Sequence, residues 1–442
     1  MEALGRICVF LKAPVPGAVK TRLVPAVGRV GAAVLAKAFF EDSWHALARV
    51  AWARPVVALA GAFAVSPGAE VWPQGEGDLG DRMERILQRA LSDAPFALAL
   101  GADTPGLPAR LVEAARDHLA RADAVLGPSP DGGFYLLGLR RCPPGLLAGL
   151  PWGVLKTREY VVERLRGAGM APALLEEWSD LDRPEDLRRF ARTDLDAPAT
   201  RCALLRHPPA PPLIDVVVPA LDEAGAIAQV VRGLLRPRVR SVVVVDNGSR
   251  DGTGSLAAAA GARVVLEPRR GYGAACLAGV RSLPADSEII VFCDGDASDD
   301  PSLLPRLVRP IEEDEADLVI GSRTRGRCEP GALTPQQRLG NAIACRWLTM
   351  RYGQPTTDLG PFRAIRTSAL IRLRMADRDY GWTVEMQIKA ARQGLRYAEI
   401  PVPYRRRIGR SKISRTIRGT LGCFTKIFGL LLRHDLLRGR AR

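Results

Sequence analysis

Short runs of consecutive apolar residues recur along most of the chain, separated by segments such as 30–51 and 107–122 that have helical periodicity. In the first half the runs are 7–11, 56–60, 96–100, 124–126 and 134–139. In the second half they are 214–218, 241–245, 263–266, 288–293 and 318–320. Runs without polar–apolar alternation indicate strands covered on both faces, as in parallel α/β sheets. The pattern predicts an α/β protein with two doubly wound, Rossmann-like domains in tandem.

A proline cluster separates the two series of strands. The sequence HPPAPPL occupies 207–213, and its prolines fix φ and lack amide donors, so this stretch is expected to be extended and semi-rigid. The predicted organisation is a domain over 1–200, a proline-rich linker over 201–212, a second domain over 213–412 and a basic tail over 413–442.

Charge is concentrated at one end of the chain. The 442 residues carry a formal net charge of +15, yet residues 401–442 contain twelve Lys or Arg and a single acid, Asp435. The remainder is close to neutral. A hydrophobic content of 47% and a charged content of 25% are ordinary for globular proteins and exclude a disordered or fibrous chain.

Three further features predict a soluble or peripheral protein of the cytoplasm. The eight cysteines form no C-x-x-C pair, which is typical of free thiols in a reducing compartment. The first apolar run is too short for a secretion signal. No apolar stretch approaches the roughly 20 residues of a membrane span.

The basic tail has the pattern of an amphipathic helix. Its apolar residues recur every three or four positions at Ile413, Ile417, Leu421, Phe424, Phe428 and Leu431. One interpretation is a helix that lies on the anionic inner face of a membrane. The other is a helix packed on the preceding domain with a solvated arginine face. No aromatic–basic platform accompanies the charge, so nucleic acid is not an expected partner.

Carboxylates follow three strands of the second half. Asp222 and Glu223 come after the first strand, Asp246 after the second, and Asp294 with Asp296 after the run at 288–293. D-x-D occurs four times in the chain, but only this last pair directly follows a buried strand. Two carboxylates at one strand end suit Mg²⁺ or Mn²⁺, which completes its shell with substrate phosphates. The alternative, a solvated acidic loop, would bring like charges together without a counter-ion.

Here the sequence resembles family-2 glycosyltransferases, specifically the branch with dolichyl- and polyprenyl-phosphate sugar synthases. The resemblance covers 213–412 and rests on PALDEAGAI, DNGSRDGT, RRGYGAAC, CDGDASDDP, IGSR, TDLGPFRAIR, YGWTVEMQIKA, EIPVPYRRR and GRSK, in the family's order. It implies a nucleotide-diphospho-sugar-transferase fold and inversion by single displacement at the anomeric carbon. Within RRGYGAAC, the G-x-G-like segment lacks the third glycine, so a dinucleotide-binding fingerprint is not expected.

The resemblance also implies roles for individual residues. The nucleoside would be held by Pro219, Ala220, Asp222, Glu223 and Asp246. The diphosphate would be held through a metal on Asp294 and Asp296. Phosphates or the acceptor would contact Arg323, Arg338, Arg407 and Lys412. The acceptor side would be lined by Asp358 and Glu385.

The role of a general base depends on the acceptor. A hydroxyl acceptor would need one, for which Asp358 or Glu385 would serve, whereas a lipid phosphate is already an oxyanion. Glu385 could equally be a structural ion-pair partner. The chain departs from the family where Asp222 replaces Asn, Asn247 replaces Asp and Ser298 replaces Gln, which leaves nucleotide and metal preference open.

The first half carries a second set of candidate residues. Lys20 and Arg22 lie in the Pro/Gly loop of FLKAPVPGAVKTRL, Asp103 follows a buried strand in LGADTPGLP, and Asp131 lies in GPSPDGGFYLLGL. With QGEGDLGDRM and LDRPEDL, these motifs resemble bacterial glycosyltransferase-like proteins similar to phospholactate and molybdenum-cofactor nucleotidyltransferases. The resemblance implies that Lys20 and Arg22 bind nucleotide phosphates and that Asp103 and Asp131 bind Mg²⁺. The alternative is an inactive, scaffolding copy of the fold.

Together these observations predict a metal-dependent, inverting glycosyltransferase fused to a nucleotidyltransferase-like domain. Its expected partners are a nucleotide-diphosphate sugar and an acceptor such as a polyprenyl phosphate or another membrane-associated molecule. Two alternatives remain open. Nucleotidyl transfer by the first domain could be the main activity, or the protein could be a non-catalytic scaffold at the membrane surface.

Overall fold

The structure, a computed structural model, describes residues 4–65 and 68–408. The chain divides into two compact units, Met1–Ala210 and Pro211–Arg442. Lys412 and the predicted amphipathic tail over 413–442 lie outside the described residues. Each unit contains a seven-stranded mixed sheet with helices between the strands. The predicted α/β class and tandem Rossmann-like arrangement are therefore confirmed.

The first unit has its sheet in the strand order β3-β2-β1-β4-β6-β5-β7. The strands are β1 Gly5–Lys12, β2 Ala53–Ala60, β3 Val71–Pro73, β4 Ala97–Gly101, β5 Ala124–Pro128, β6 Phe134–Leu139 and β7 Pro172–Leu174. The helices are α1 Val24–Leu47, α2 Leu79–Leu91, α3 Ala109–Leu119, α4 Thr157–Gly167, α5 Pro184–Phe190 and α6 Pro198–Arg206. A short 3₁₀ turn, Thr21–Leu23, precedes α1.

The second unit repeats this order as β10-β9-β8-β11-β13-β12-β14. Its strands are β8 Ile214–Ala220, β9 Val239–Asp246, β10 Arg263–Leu266, β11 Ile289–Phe292, β12 Leu318–Ser322, β13 Arg363–Arg366 and β14 Tyr397–Pro401. Its helices are α7 Ile227–Leu234, α8 Thr253–Ala259, α9 Tyr272–Ser282, α10 Leu304–Glu312, α11 Pro335–Tyr352, α12 Thr367–Leu373 and α13 Trp382–Arg392. A 3₁₀ turn, Pro301–Leu303, precedes α10.

The expectation of purely parallel sheets is wrong for one strand in each unit. β6 runs antiparallel to both β4 and β5, and β13 runs antiparallel to both β11 and β12. Continuous apolar runs report burial on both faces but carry no information on strand direction. β13 was also missed as a strand because its sequence, RAIR, begins and ends with arginine. Arg366 is buried there because it forms ion pairs with Asp314 and Asp317.

The positions of the helices differ from two further expectations, the extent of the linker and the lack of a segment long and apolar enough to span a membrane. The predicted linker over 201–212 is too long, because α6 continues to Arg206 and the Ala210 amide donates to the Ala26 carbonyl. One described helical segment, Thr21–Leu47, is long and apolar enough to cross a membrane, contrary to the sequence estimate. Half of its most apolar 18-residue stretch is buried inside the protein, and Leu35, Phe39 and Phe40 belong to the core of the unit. A core helix meets the same test of length and composition.

Candidate active site

The carboxylates of the second unit converge at one edge of its sheet. β8 pairs in parallel with β9 on one side and with β11 on the other, so their carboxyl ends lie together. Arg407 marks the convergence, because its Nη2 lies 2.8 Å from Glu223 Oε1 and 3.3 Å from Asp296 Oδ2. Residues 405–408 run along the acidic loop, which comprises residues 294–300, and the Arg405 amide donates to the Ser298 carbonyl. Ligands of open α/β sheets bind at such an edge.

The loop after β11 is a tight turn built on Asp296. Its Oδ1 accepts hydrogen bonds from the Ser298 amide at 3.0 Å and from the Ser298 hydroxyl at 2.5 Å. Ala297 adopts a left-handed conformation with φ of 60°, an unusual backbone for a residue with a side chain. The turn leaves Asp294 and Asp296 close together: burial and the neighbouring Asp296 charge raise the pKa of Asp294 to about 7.

The part of this edge that is predicted to bind the nucleoside is ordered by hydrogen bonds within and between loops. Asp222, with φ of 49°, accepts from the Arg250 amide at 2.8 Å, and Asp246 accepts from the Ser249 amide at 2.7 Å. Asn247 donates to the carbonyls of Glu267 and Arg269 and so holds the loop that leads to α9. Pro219 and Ala220 form the buried end of β8. All five predicted nucleoside-binding residues therefore lie at the ends of β8 and β9.

Arg323 and Asp358 form a buried ion pair. Asp358 is fully buried and accepts from Arg323 Nε at 2.8 Å, from Nη2 at 2.7 Å and from the Arg323 amide at 2.7 Å. Burial works to lower the pKa of Arg323, but hydrogen bonding to Asp358 outweighs it, so the pKa is raised. The guanidinium also lies over the Tyr404 ring, 5.0 Å from its centroid. Asp358 thus fixes the position of Arg323.

The Glu385 carboxylate is hydrogen-bonded to backbone amides. Its carboxylate accepts from the amides of Ala376 and Asp377 and forms a 2.7 Å ion pair with Lys389. These contacts fit the structural alternative, in which Glu385 holds the loop before α13. Arg338 lies exposed in the first turn of α11, and nothing in the described structure joins it to the acidic loop.

Two contributors to this site escaped the sequence analysis. The Tyr272 hydroxyl donates to Asp294 Oδ1 at 3.1 Å, and nothing in the sequence RRGYGAAC signals this contact. Asp299 is only 2% exposed, and burial together with the nearby charges of Asp294 and Asp296 raises its pKa. Asp299 is part of the motif CDGDASDDP, but the sequence alone does not distinguish it from a residue of a solvated acidic loop.

The residues at this edge fit the divalent cation that the family resemblance implies. Asp294 and Asp296 supply adjacent carboxylates, and a second positive charge would relieve the repulsion that raises the pKa of Asp294. Among the described residues, no group of three or more His, Cys, Asp or Glu side chains is arranged to hold a metal. The remaining ligands would therefore come from diphosphate oxygens and water, as is usual for Mg²⁺.

The first unit brings its predicted residues together differently. Lys20 Nζ lies 2.8 Å from Asp103 and 3.3 Å from Asp182, and Arg22 Nη1 lies 2.5 Å from Asp182. Burial works to lower the pKa of Lys20, but Asp103 and Asp182 outweigh it and raise the pKa. Asp131 is exposed and accepts from the Gly133 amide. Both predicted phosphate-binding cations are thus already paired with carboxylates.

Asp180 and Asp182 were missed in this unit. They form one of the four D-x-D sequences and follow β7, a strand of only three residues that the apolar pattern did not reveal. Burial, together with the charge of Asp103, raises the pKa of Asp180 to about 7. The preference for D-x-D after a strongly apolar strand therefore overlooked the second pair that the fold brings to a sheet edge.

Comparison with known proteins agrees with this geometry in the second unit. A family model described as glycosyl transferase family 2 matches residues 215–377. An uncharacterized glycosyltransferase of Mycobacterium tuberculosis is 38% identical over 210 residues, which is 47% of this chain and 93% of that protein. Through its second unit, the chain belongs to glycosyl transferase family 2. It is a glycosyltransferase.

Other relatives of the family 2 unit have more specific names. The undecaprenyl-phosphate mannosyltransferase of Micrococcus luteus is 31% identical over 246 residues, covering 51% of this chain and 97% of that protein. The dolichyl-phosphate hexose transferase of Haloferax volcanii is 32% identical over 200 residues, covering 45% and 85%. A solved structure, glucosyl-3-phosphoglycerate synthase from Mycobacterium tuberculosis, has a TM-score of 0.41 at 26% identity and covers 50% of this chain and 80% of its own.

The first unit matches a different family over residues 39–154, described as an uncharacterized protein conserved in bacteria (DUF2064). This match begins after Lys20 and Arg22 and ends before Asp180 and Asp182. The family's description names no activity, so the nucleotidyltransferase-like interpretation of this unit remains a prediction.

Proposed function

We propose that the family 2 unit transfers a sugar, with inversion, from a nucleotide-diphosphate donor to a polyprenyl phosphate or another membrane-associated acceptor. The observation that carries this proposal is the edge formed by β8, β9 and β11, where Asp294 and Asp296 lie beside Arg407. The 31% sequence identity to an undecaprenyl-phosphate mannosyltransferase, over 97% of that enzyme's length, supports a lipid-phosphate acceptor.

The chain's own residues divide the work of binding the donor. The ordered loops carrying Asp222 and Asp246 would orient the nucleoside, and Glu223 would keep Arg407 beside the acidic loop. Asp294 and Asp296 would hold Mg²⁺ or Mn²⁺, whose charge would stabilise the departing nucleoside diphosphate when bound. Arg323, held rigidly by Asp358, would face a phosphate group of donor or acceptor.

The hydrogen bonds and ion pairs of Asp358 and Glu385, the two predicted bases, favour an acceptor that is already anionic. Asp358 is fully buried against Arg323, and Glu385 is saturated by two amides and Lys389. Neither carboxylate is placed to take a proton from a hydroxyl. A phosphate oxygen needs no such proton transfer, so the occupied carboxylates are consistent with a lipid-phosphate acceptor.

A donor-turnover assay tests this proposal. Full-length protein would be given a panel of nucleotide sugars with Mg²⁺ or Mn²⁺, with and without a polyprenyl phosphate in detergent, and nucleoside diphosphate release would be measured. We expect one donor to be used, release to rise with lipid, and Asp294→Asn to reduce the rate at least about a hundredfold. The matched variant Asp103→Asn, in the first unit, should retain the rate. Full activity in Asp294→Asn would exclude the metal role.

The first unit supplies a second candidate function, nucleotidyl transfer, because Lys20, Arg22, Asp103 and Asp182 form one cluster there. That function predicts pyrophosphate release from a nucleoside triphosphate and a phosphorylated substrate, lost in Asp103→Asn and retained in Asp294→Asn. A non-catalytic scaffold would bind liposomes without metal-dependent binding of a nucleotide sugar.

We propose that the protein lies in the cytoplasm at the inner face of the membrane, where it would have access to polyprenyl phosphate. The basic residues of 401–442 support peripheral contact with anionic lipid.

A further inference from the structure

Asp299 is a buried carboxylate without a partner. Its side chain is 2% exposed, and neither Oδ1 nor Oδ2 has a hydrogen-bond partner within the described part of the chain. A buried carboxylate that lacks both hydrogen bonds and a counter-ion is costly. A nearby positive charge would therefore stabilise the Asp299 carboxylate.

Arg323 and Arg407 form their ion pairs with carboxylates other than Asp294 and Asp299. Arg323 forms its ion pair with Asp358, and Arg407 divides its Nη2 between Glu223 and Asp296. In the described structure no ion pair reaches Asp294 or Asp299. Of the three side chains Asp294, Asp296 and Asp299, only Asp296 is therefore in contact with a guanidinium, that of Arg407.

The next residue along the chain shows what a merely structural aspartate does in this loop. Asp300 accepts from the Ser302 amide at 3.0 Å and forms a 2.9 Å ion pair with Arg405, so it caps the turn that precedes α10. Asp299 makes neither kind of contact. Its position is therefore not explained by the folding of the loop.

We propose that Asp299 is a positioning residue for the donor-site cation, increasing the negative charge behind Asp294 and Asp296 and thereby tightening cation binding. This inference rests on the proposed function, because it assumes that these two carboxylates hold the cation. Asp299 would act through them rather than as a third ligand, in keeping with the lack of a three-residue metal-binding group among the described residues.

Direct binding of Mn²⁺ tests the inference without reference to activity. Free Mn²⁺ would be measured by electron paramagnetic resonance during titration of the full chain without nucleotide. The donor site is identified as the binding lost in Asp294→Asn. We expect Asp299→Asn to weaken this site at least about tenfold, the range for residues that support metal ligands. Asp300→Asn should change the affinity by less than about twofold, since its carboxylate faces Arg405.

Thermal unfolding without metal separates charge from folding. Asn nearly matches the shape of Asp and removes a buried charge, so Asp299→Asn should unfold at the wild-type temperature or higher. If the Asn variant does not fold, Asp299→Ala takes its place. Equal Mn²⁺ affinity in wild type and the Asp299 variant would overturn only the role of Asp299. Equal Mn²⁺ binding by wild type and Asp294→Asn would overturn this inference and the metal dependence of the proposed function together.

Discussion

The two units share one strand order, including an antiparallel sixth strand, yet they differ in how the charges at the sheet edge are balanced. In the first unit Lys20 lies between Asp103 and Asp182, and Arg22 reinforces the neutralisation. In the second unit no lysine or arginine pairs with Asp294 or Asp299 in the described structure. The sheet therefore determines where ligands can bind, whereas individual side chains determine how the carboxylate charge there is balanced.

The connection between the fifth and sixth strands is a second difference. In the first unit five residues join β5 to β6, and they contain the exposed Asp131. In the second unit the corresponding connection runs from β12 to β13 and contains α11, which starts with a capping box between Thr334 and Gln337. Asp358 lies at the end of this longer segment and pairs with Arg323 at its start. An insertion at the same point of the sheet thus creates the buried ion pair.

The largest effect on stability should come from breaking that ion pair. Asp358→Asn would leave the Arg323 guanidinium, only 12% exposed, without a carboxylate. We expect a loss of about 3 kcal/mol in the free energy of unfolding of the second unit. Asp131→Asn, at the equivalent connection of the first unit, should change stability by less than about 0.5 kcal/mol because Asp131 is exposed. Calorimetry of the two variants measures both; similar losses would contradict the contrast between the connections.

Removing Lys20 should leave the carboxylates at the sheet edge of the first unit less neutralised, as Asp294 and Asp299 are in the described part of the second unit. Lys20→Met would leave Asp103, Asp180 and Asp182 without the ammonium that now lies among them. We expect a loss of about 2 kcal/mol, less than for a fully buried pair because Asp103 and Asp182 keep some exposure to water. Added Mg²⁺ should raise the unfolding temperature of this variant more than that of the wild type. An identical response to Mg²⁺ would show that Lys20 does not take the place of a metal.

The smallest effect concerns a backbone feature that both units share. Each has a non-glycine residue in the left-handed conformation after its first strand, Lys20 with φ of 45° and Asp222 with φ of 49°. Asp222→Asn should change stability by less than about 0.5 kcal/mol, because Asn tolerates this conformation and its oxygen can accept from the Arg250 amide. Asp222→Ala loses both properties and should cost about 1 kcal/mol. Chemical denaturation compares the two, and an Asn variant as unstable as the Ala variant would show that the charge matters.

Much of the site was accessible from the sequence because strand ends of parallel pairs share an edge. Asp222, Glu223, Asp246, Asp294 and Asp296 were placed correctly by this rule alone. Glu385 shows its limit. A glutamate on a helix reads as a candidate base, but the amides of 376–377 that it binds belong to a loop whose path the sequence does not reveal.

The α/β class, the division into two series of strands and the carboxylates at three strand ends all follow from the amino-acid sequence, because burial and turn formation depend on residues that are consecutive in the chain. Four features become visible only in the folded protein: the direction of β6 and β13, the pairing of Arg323 with Asp358, the position of Lys20 among Asp103, Asp180 and Asp182, and the lack of a hydrogen-bond partner for Asp299 in the described structure. These features join residues far apart in the chain. Their charges and hydrogen bonds depend on distances that no local pattern encodes.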